Sequence, residues 1–153
     1  MIDPGLARKV VLITGANHGI GAATAKSLAD QGTRVFITYY LPEMTFSEEA
    51  LSRAYEAGVG GDKLYSYWQQ KSGEVIAAEI QSRGGTAVSA EFDLSSVDNI
   101  GELFDRCERE LGPVDLLINN HTHCVMETFD PAAAKDDVIL TKAESIDRHF
   151  AVN

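Results

Sequence analysis

Three glycines, Gly15, Gly19 and Gly21, follow Thr14 in the stretch Thr14-Gly-Ala-Asn-His-Gly-Ile-Gly21. A chain that turns from a strand straight into a helix while letting a pyrophosphate approach its backbone has no room for Cβ atoms. A helix that starts there aims its free N–H groups and positive dipole end at the phosphate. Thr14, Gly15, Asn17, His18, Gly19, Ile20 and Gly21 are therefore candidate ligands of a dinucleotide. Asn119 and Asn120 form a second candidate group, because amides at a strand end can bridge neighbouring strands and a ribose. His121-Thr-His123-Cys124 carries zinc-type ligands. Adjacent residues on an extended segment point to opposite faces, however, and no second ligand cluster accompanies them, so no metal is expected.

The glycines need a scaffold. Val10 to Ile13 are apolar without alternation, as in a parallel strand buried on both faces. A helix is predicted from about Ile20 to Gln31, with Gly32 as its C-cap, and a second apolar run, Arg34 to Tyr40, begins at once. This is a βαβ unit. The spacing G-x-x-x-G-x-G differs from the usual G-x-G-x-x-G fingerprint, and Thr14 to Gly21 resembles instead the T-G-x-x-x-G-x-G cofactor motif of the short-chain dehydrogenase/reductase family. The resemblance implies an α/β fold, a Rossmann-type doubly wound parallel sheet whose first half has strand order 3-2-1-4. It also implies hydride transfer between a nicotinamide cofactor and a small-molecule carbonyl or alcohol. Among relatives the chain looks most like the 3-oxoacyl carrier-protein reductase type.

An acidic residue about 20 positions beyond the glycines holds the adenosine ribose of NAD and repels the extra phosphate of NADP. Tyr39 stands there, so NADP(H) is favoured over NAD(H). His18 occupies a position where many NADP-using relatives carry arginine; it either reaches that phosphate as a pH-dependent contact or faces solvent.

Residues 41–71 depart from the family pattern as an insertion after the second strand. Thr45-Phe-Ser-Glu48 has capping-box spacing, and the residues to Ala57 favour a helix that Gly58 can end. All five tyrosines and the one tryptophan fall between Tyr39 and Trp68. They form either a lid over the adenosine or substrate mouth, or simply the packing of the insertion onto the domain. Tyr67 and Lys71 have the Y-x-x-x-K spacing of the family's catalytic pair, which on a helix shares one face. In relatives that motif follows the fifth strand, so here it reads as coincidence.

Beyond the insertion, Val75, Ile76 and Ile80 predict a covering helix ending at Gly84-Gly85, and Thr86 to Phe92 a third strand. Asp93, with Leu94 beside it, matches the family's adenine-contacting position, and can equally serve as a turn or N-cap acid before the next helix. That helix runs to about Leu111, with Leu103 and Phe104 inward, and stops at Gly112-Pro113. Val114 to Asn120 then resembles the family strand ending in N-N-A-G, with His121-Thr122 in place of Ala-Gly. A short helical piece is expected near Pro131 to Asp137. Thr141-Lys-Ala-Glu144 reads as a capping box opening a helix with Ile146, Phe150 and Val152 inward. Asn153 matches the family's active-site asparagine, which holds a water in the proton relay.

The chain of 153 residues is expected to be one dinucleotide-binding domain, residues 1–153, incomplete at its C-terminus. The serine, tyrosine and lysine of the family's chemistry are expected downstream, so this chain alone should turn over poorly. The alternative is a non-catalytic nucleotide-binding module. A net charge of −10 argues against nucleic acid or an anionic membrane as partner. No apolar run spans a bilayer, no signal peptide opens the chain, and two cysteines are too few for a disulfide framework. These features point to the cytoplasm, and the family implies a homo-oligomer in the full-length form.

Overall fold

The computed structural model describes residues 4–134 and 138–153. Val10–Thr14 form β1, Gly19–Ala29 α1 and Arg34–Tyr39 β2. The insertion folds as two helices rather than one, Glu48–Ala57 (α2) and Asp62–Gln69 (α3). Gly73–Ser82 (α4), Thr86–Glu91 (β3), Val97–Leu111 (α5) and Leu116–Ile118 (β4) follow. Glu127–Thr128 (β5) and Ile139–Leu140 (β6) make a small parallel pair, and Ala143–Val152 (α6) is the last helix.

The main sheet is parallel with order β3-β2-β1-β4, as the resemblance implied. Every residue of β1 is buried, because helices cover both faces. Val11, Ile13, Val35 and Ile37 pack on Ala22, Ala25 and Ala29 of α1 and on Ile76, Ala77 and Ile80 of α4. Val10, Leu12 and Phe36 point the other way onto Leu103, Cys107 and Leu111 of α5. The alanines bring α1 close to the sheet, which fixes where its first turn lies. At the other end of β1, Asp115 holds the incoming β4 chain, accepting from the Lys9 ammonium at 2.7 Å and from the Val10 N–H at 2.8 Å.

Several local expectations need correction. Ser47, not Thr45, caps α2, its hydroxyl accepting from the Ala50 N–H, because the helix begins two residues later than a box at Thr45 requires. Val75 is exposed, since it faces away from the sheet that Ile76 and Ile80 cover. Lys142 is the N-cap of α6 with no side-chain bond, so the Thr141 box does not form. Ile146 and Phe150 on that helix are exposed, Phe150 by 85%, because among the described residues no sheet face lies under them. Between β5 and β6, Asp130 accepts from the amides of Ala133 and Ala134 in a turn; the rest of the helical piece expected to Asp137 lies outside the described residues.

Candidate cofactor-binding site

β1 lies between β2, whose crossover is covered by α1, and β4, reached on the other side. The carboxyl end of β1 is thus a topological switch point, where open α/β sheets form their ligand crevice. The glycine turn occupies it, tied to β2 by the Ala16 N–H donating to the Thr38 carbonyl at 3.2 Å. Gly15 has φ +62, and a Cβ there would come within 2.7 Å of the His121 Cα. Gly19 has φ +56 and faces open space. A Cβ on Gly21 would lie 2.5 Å from both the Asn120 amide nitrogen and the Gly15 carbonyl oxygen. His18 caps α1 in extended conformation without a side-chain bond to its amides, which leaves first-turn N–H groups available to an anion. Open space at Gly19 in front of those amides fits a pyrophosphate. Ile20, in the same turn, is 79% exposed.

Asn120 supports this turn from below. Its amide nitrogen donates to the carbonyls of Thr14 at 3.1 Å and Gly15 at 2.9 Å, so it is a positioning residue for the cradle. Asn119 is exposed. The buried Thr14 hydroxyl accepts from the N–H groups of Asn120 and His121. His121 Nδ1 lies 2.7 Å from that hydroxyl and Nε2 lies 2.5 Å from the Val152 carbonyl. A carbonyl only accepts, so Nε2 carries a hydrogen and donates to Val152, while the Thr14 hydroxyl sits between Nδ1 and the Ile118 carbonyl, the latter at 3.3 Å. The imidazole therefore bridges the end of β1 to the end of α6. Asn153 completes the connection: its carboxamide accepts from the His123 N–H at 2.8 Å and donates to the His123 carbonyl at 3.2 Å. His123 turns instead to His149, with ring centroids 4.7 Å apart. Among the described residues no three His, Cys, Asp or Glu side chains are grouped to hold a metal.

On the adenosine side, Tyr39 is buried, its ring against Gly73 and its hydroxyl 2.9 Å from Ser72 Oγ. It offers no carboxylate at the end of β2. Asn17 is buried as well, donating to the carbonyls of Lys71 at 2.8 Å and Gln69 at 3.3 Å. The insertion is thereby stitched to the glycine turn. His18 stands edge-on to Tyr65, and burial pushes its pKa below the ordinary imidazole value. Its ring is consequently uncharged at neutral pH, a poorer phosphate partner than the sequence suggested. Burial raises the Asp93 carboxyl, but hydrogen bonds from Ser95 and the charge of Arg148 outweigh it and hold the group below its usual range. Its Oδ1 accepts from the Ser95 N–H at 2.9 Å, so the turn-acid role is realised. Leu94 packs into the core on the α5 side.

Tyr67 and Lys71 do not form a proton-transfer pair. The Lys71 ammonium lies 3.9 Å from the centroid of the Tyr67 ring, and that ring stacks on Tyr55 at 4.4 Å. Trp68 meets both tyrosines edge-on. Of four further residues that touch this region, Gln69 and Ser72 carry no signal in the sequence, and Lys71 and His121 stand out there only for other roles, a Y-x-x-x-K spacing and a zinc-type cluster. Their contacts run through backbone carbonyls or across 30 or more positions, and no short motif encodes such contacts.

The family profile described as short chain dehydrogenase matches residues 9–57 and 57–153. L-rhamnose 1-dehydrogenase (NAD(P)(+)) of Azotobacter vinelandii is 31% identical over 121 residues, which are 79% of this chain and 38% of that protein. 2,3-Dihydro-2,3-dihydroxybenzoate dehydrogenase of Bacillus subtilis is 30% identical over 115 residues, 75% of this chain and 33% of that protein. The solved 3-oxoacyl (acyl-carrier-protein) reductase of Agrobacterium tumefaciens C58 with NADP bound has a TM-score of 0.65 at 22% identity, covering 99% of this chain and 45% of that one. A short chain dehydrogenase of Burkholderia cenocepacia J2315 in complex with NADP has a TM-score of 0.66 at 24% identity, covering 96% of this chain and 45% of that one. These two likenesses show the fold. The chain spans less than half the length of each of these proteins.

Proposed function

We propose that this chain, which belongs to the short-chain dehydrogenase family, is the cofactor-binding part of an NADP(H)-dependent oxidoreductase interconverting a carbonyl and an alcohol. The observation that carries the reading is the glycine turn at the switch point, with two left-handed glycines, open space at Gly19 and uncapped α1 amides. Gly15, Gly19 and Gly21 seat the pyrophosphate, with Thr14 and Asn120 fixing the turn. The preference for NADP(H) rests on Tyr39, whose buried hydroxyl is bound to Ser72 and puts no negative charge beside the ribose. When bound, the nicotinamide supplies the hydride.

The carbonyl oxygen becomes an oxyanion as hydride arrives, and its stabilisation needs a positioned donor. Tyr67 does not provide one, since its ring face rather than its hydroxyl meets Lys71. This chain by itself is therefore proposed to bind cofactor with little turnover, acting on a small molecule only together with a properly placed acid. The solved relatives bound to NADP lend the cofactor reading support by analogy. Among the described residues no helix is long and apolar enough to cross a membrane. The test is a pair of fluorescence titrations with NADPH and NADH. Tighter binding of NADPH supports the reading, and the reverse order overturns it.

A further inference from the structure

In the sequence Lys71 closes a Y-x-x-x-K pattern that stands in the wrong part of the chain for the family's catalytic pair. The structure gives it another position. Its carbonyl accepts from Asn17, inside the glycine turn, at 2.8 Å. The next residue, Ser72, meets the Tyr39 hydroxyl at the carboxyl end of β2. Two independent hydrogen bonds thus hold the Lys71-Ser72 segment between the glycine turn and the end of β2. In a dinucleotide fold the adenosine ribose lies in that gap, and the residue there discriminates a 2′-hydroxyl from a 2′-phosphate.

The lysine is also prepared for an anion. Lys9 pairs with Asp115 and Lys26 with Glu79, whereas among the described residues Lys63, Lys71 and Lys142 have no carboxylate partner, and of these three Lys71 alone is half-buried. Its ammonium is held instead on the Tyr67 ring, itself stacked on Tyr55, an arrangement that limits the motion of the side chain without neutralising it. Acidic residues outnumber basic ones 23 to 13 in this chain, so a half-buried cation without an acidic partner needs a reason.

We propose that Lys71 is the residue that recognises the 2′-phosphate of NADP(H), supplied by the insertion rather than by the glycine turn or the end of β2. The assignment rests on the NADP(H) reading above and adds to it the group that confers the preference. Tyr67 and Tyr55 orient the ammonium, and Asn17 couples its backbone to the pyrophosphate cradle. A single charged contact to phosphate supplies about tenfold or more in affinity.

The experiment compares NADPH and NADH binding by fluorescence titration in the 153-residue chain and in its Lys71→Met and Lys71→Arg variants. Methionine keeps the length of the side chain and its packing on Tyr67. Lys71→Met is expected to weaken NADPH by about tenfold or more while leaving NADH within about twofold, and Lys71→Arg to retain the preference. A second readout uses the unaltered chain: NADP+ at saturation should shield Lys71 from acetic anhydride, read by peptide mass, whereas NAD+ at equal occupancy should not. If the unaltered chain prefers NADPH and Lys71→Met keeps that preference, the assignment is overturned and the NADP(H) reading stands. Equal weakening of both nucleotides by Lys71→Met, or equal shielding by both, also overturns it. If the unaltered chain prefers NADH, shows no preference or binds neither, the NADP(H) reading falls and the assignment falls with it.

Discussion

Gly19 and Gly21 stand two positions apart for different physical reasons. Gly19 is left-handed and looks into open space, so a methyl group there meets no protein atom and costs only backbone strain of about 1–2 kcal/mol. Gly21 is helical, and alanine would bring about 1 kcal/mol of helix propensity. That gain is outweighed, because the new Cβ would sit 2.5 Å from the Gly15 oxygen and 2.8 Å from the Ala16 Cα, both backbone atoms that cannot rotate away. Overpacking of this kind costs about 1–3 kcal/mol or more, and it would also push aside the Asn120 amide that holds the turn. The two substitutions should therefore separate ligand from fold. Gly19→Ala should lose NADPH affinity with a modest shift in urea midpoint, and Gly21→Ala should lose stability first. Equal urea midpoints would contradict this division. The motif spacing points to both glycines, but only the approach of the Gly15-Ala16 backbone and the Asn120 amide to Gly21 distinguishes their roles.

At the scale of elements, the β1-α1-β2 unit was legible because its signals are local: an unbroken apolar run, a glycine turn and a C-cap. The helices of the insertion were half legible. Gly58 ends α2 in the left-handed conformation, as its position suggested, whereas α3 lacks a side-chain cap and carries no start signal. What joins the end of α3 to the glycine turn is a pair of long-range bonds, the Asn17 amide donating to the carbonyls of Gln69 and Lys71, and a carbonyl acceptor leaves no trace in a sequence. Removing that amide should release the insertion while sparing the sheet. Asn17→Ala is expected to speed hydrogen exchange at residues 62–71 and to leave the amides of β1 and β2 protected, since those are closed by the β1–β2 ladder and the apolar layers on both faces. Uniformly faster exchange throughout would mean that Asn17 serves the core rather than the docking of α3.

Across the whole molecule, the apolar side chains after residue 115 behave differently from those before it. The exposure of β4 follows from the order 3-2-1-4 itself, which leaves the fourth strand at an edge; the stripe of α6 was readable but its burial was not, because burial depends on a facing surface rather than on the pattern itself. Leu117 on β4 is 47% exposed, and among the described residues β4 is an edge of the sheet, paired with β1. Phe129, Ile139 and Phe150 are exposed nearby in sequence. An apolar edge invites a second copy, while the net charge of −10 opposes it. Salt decides between them: at roughly 0.15 M the screening length falls to about 8 Å, which weakens repulsion between copies and leaves apolar attraction nearly intact. Association should accordingly rise with salt in sedimentation velocity. Leu117→Lys should suppress it even though it makes the chain one unit less negative, because a lysine on an edge strand must be desolvated before that edge can pair. If charge alone set the behaviour, the same substitution would increase association, so the sign of the change identifies whether the β4 edge or the summed charge governs how copies of this chain meet.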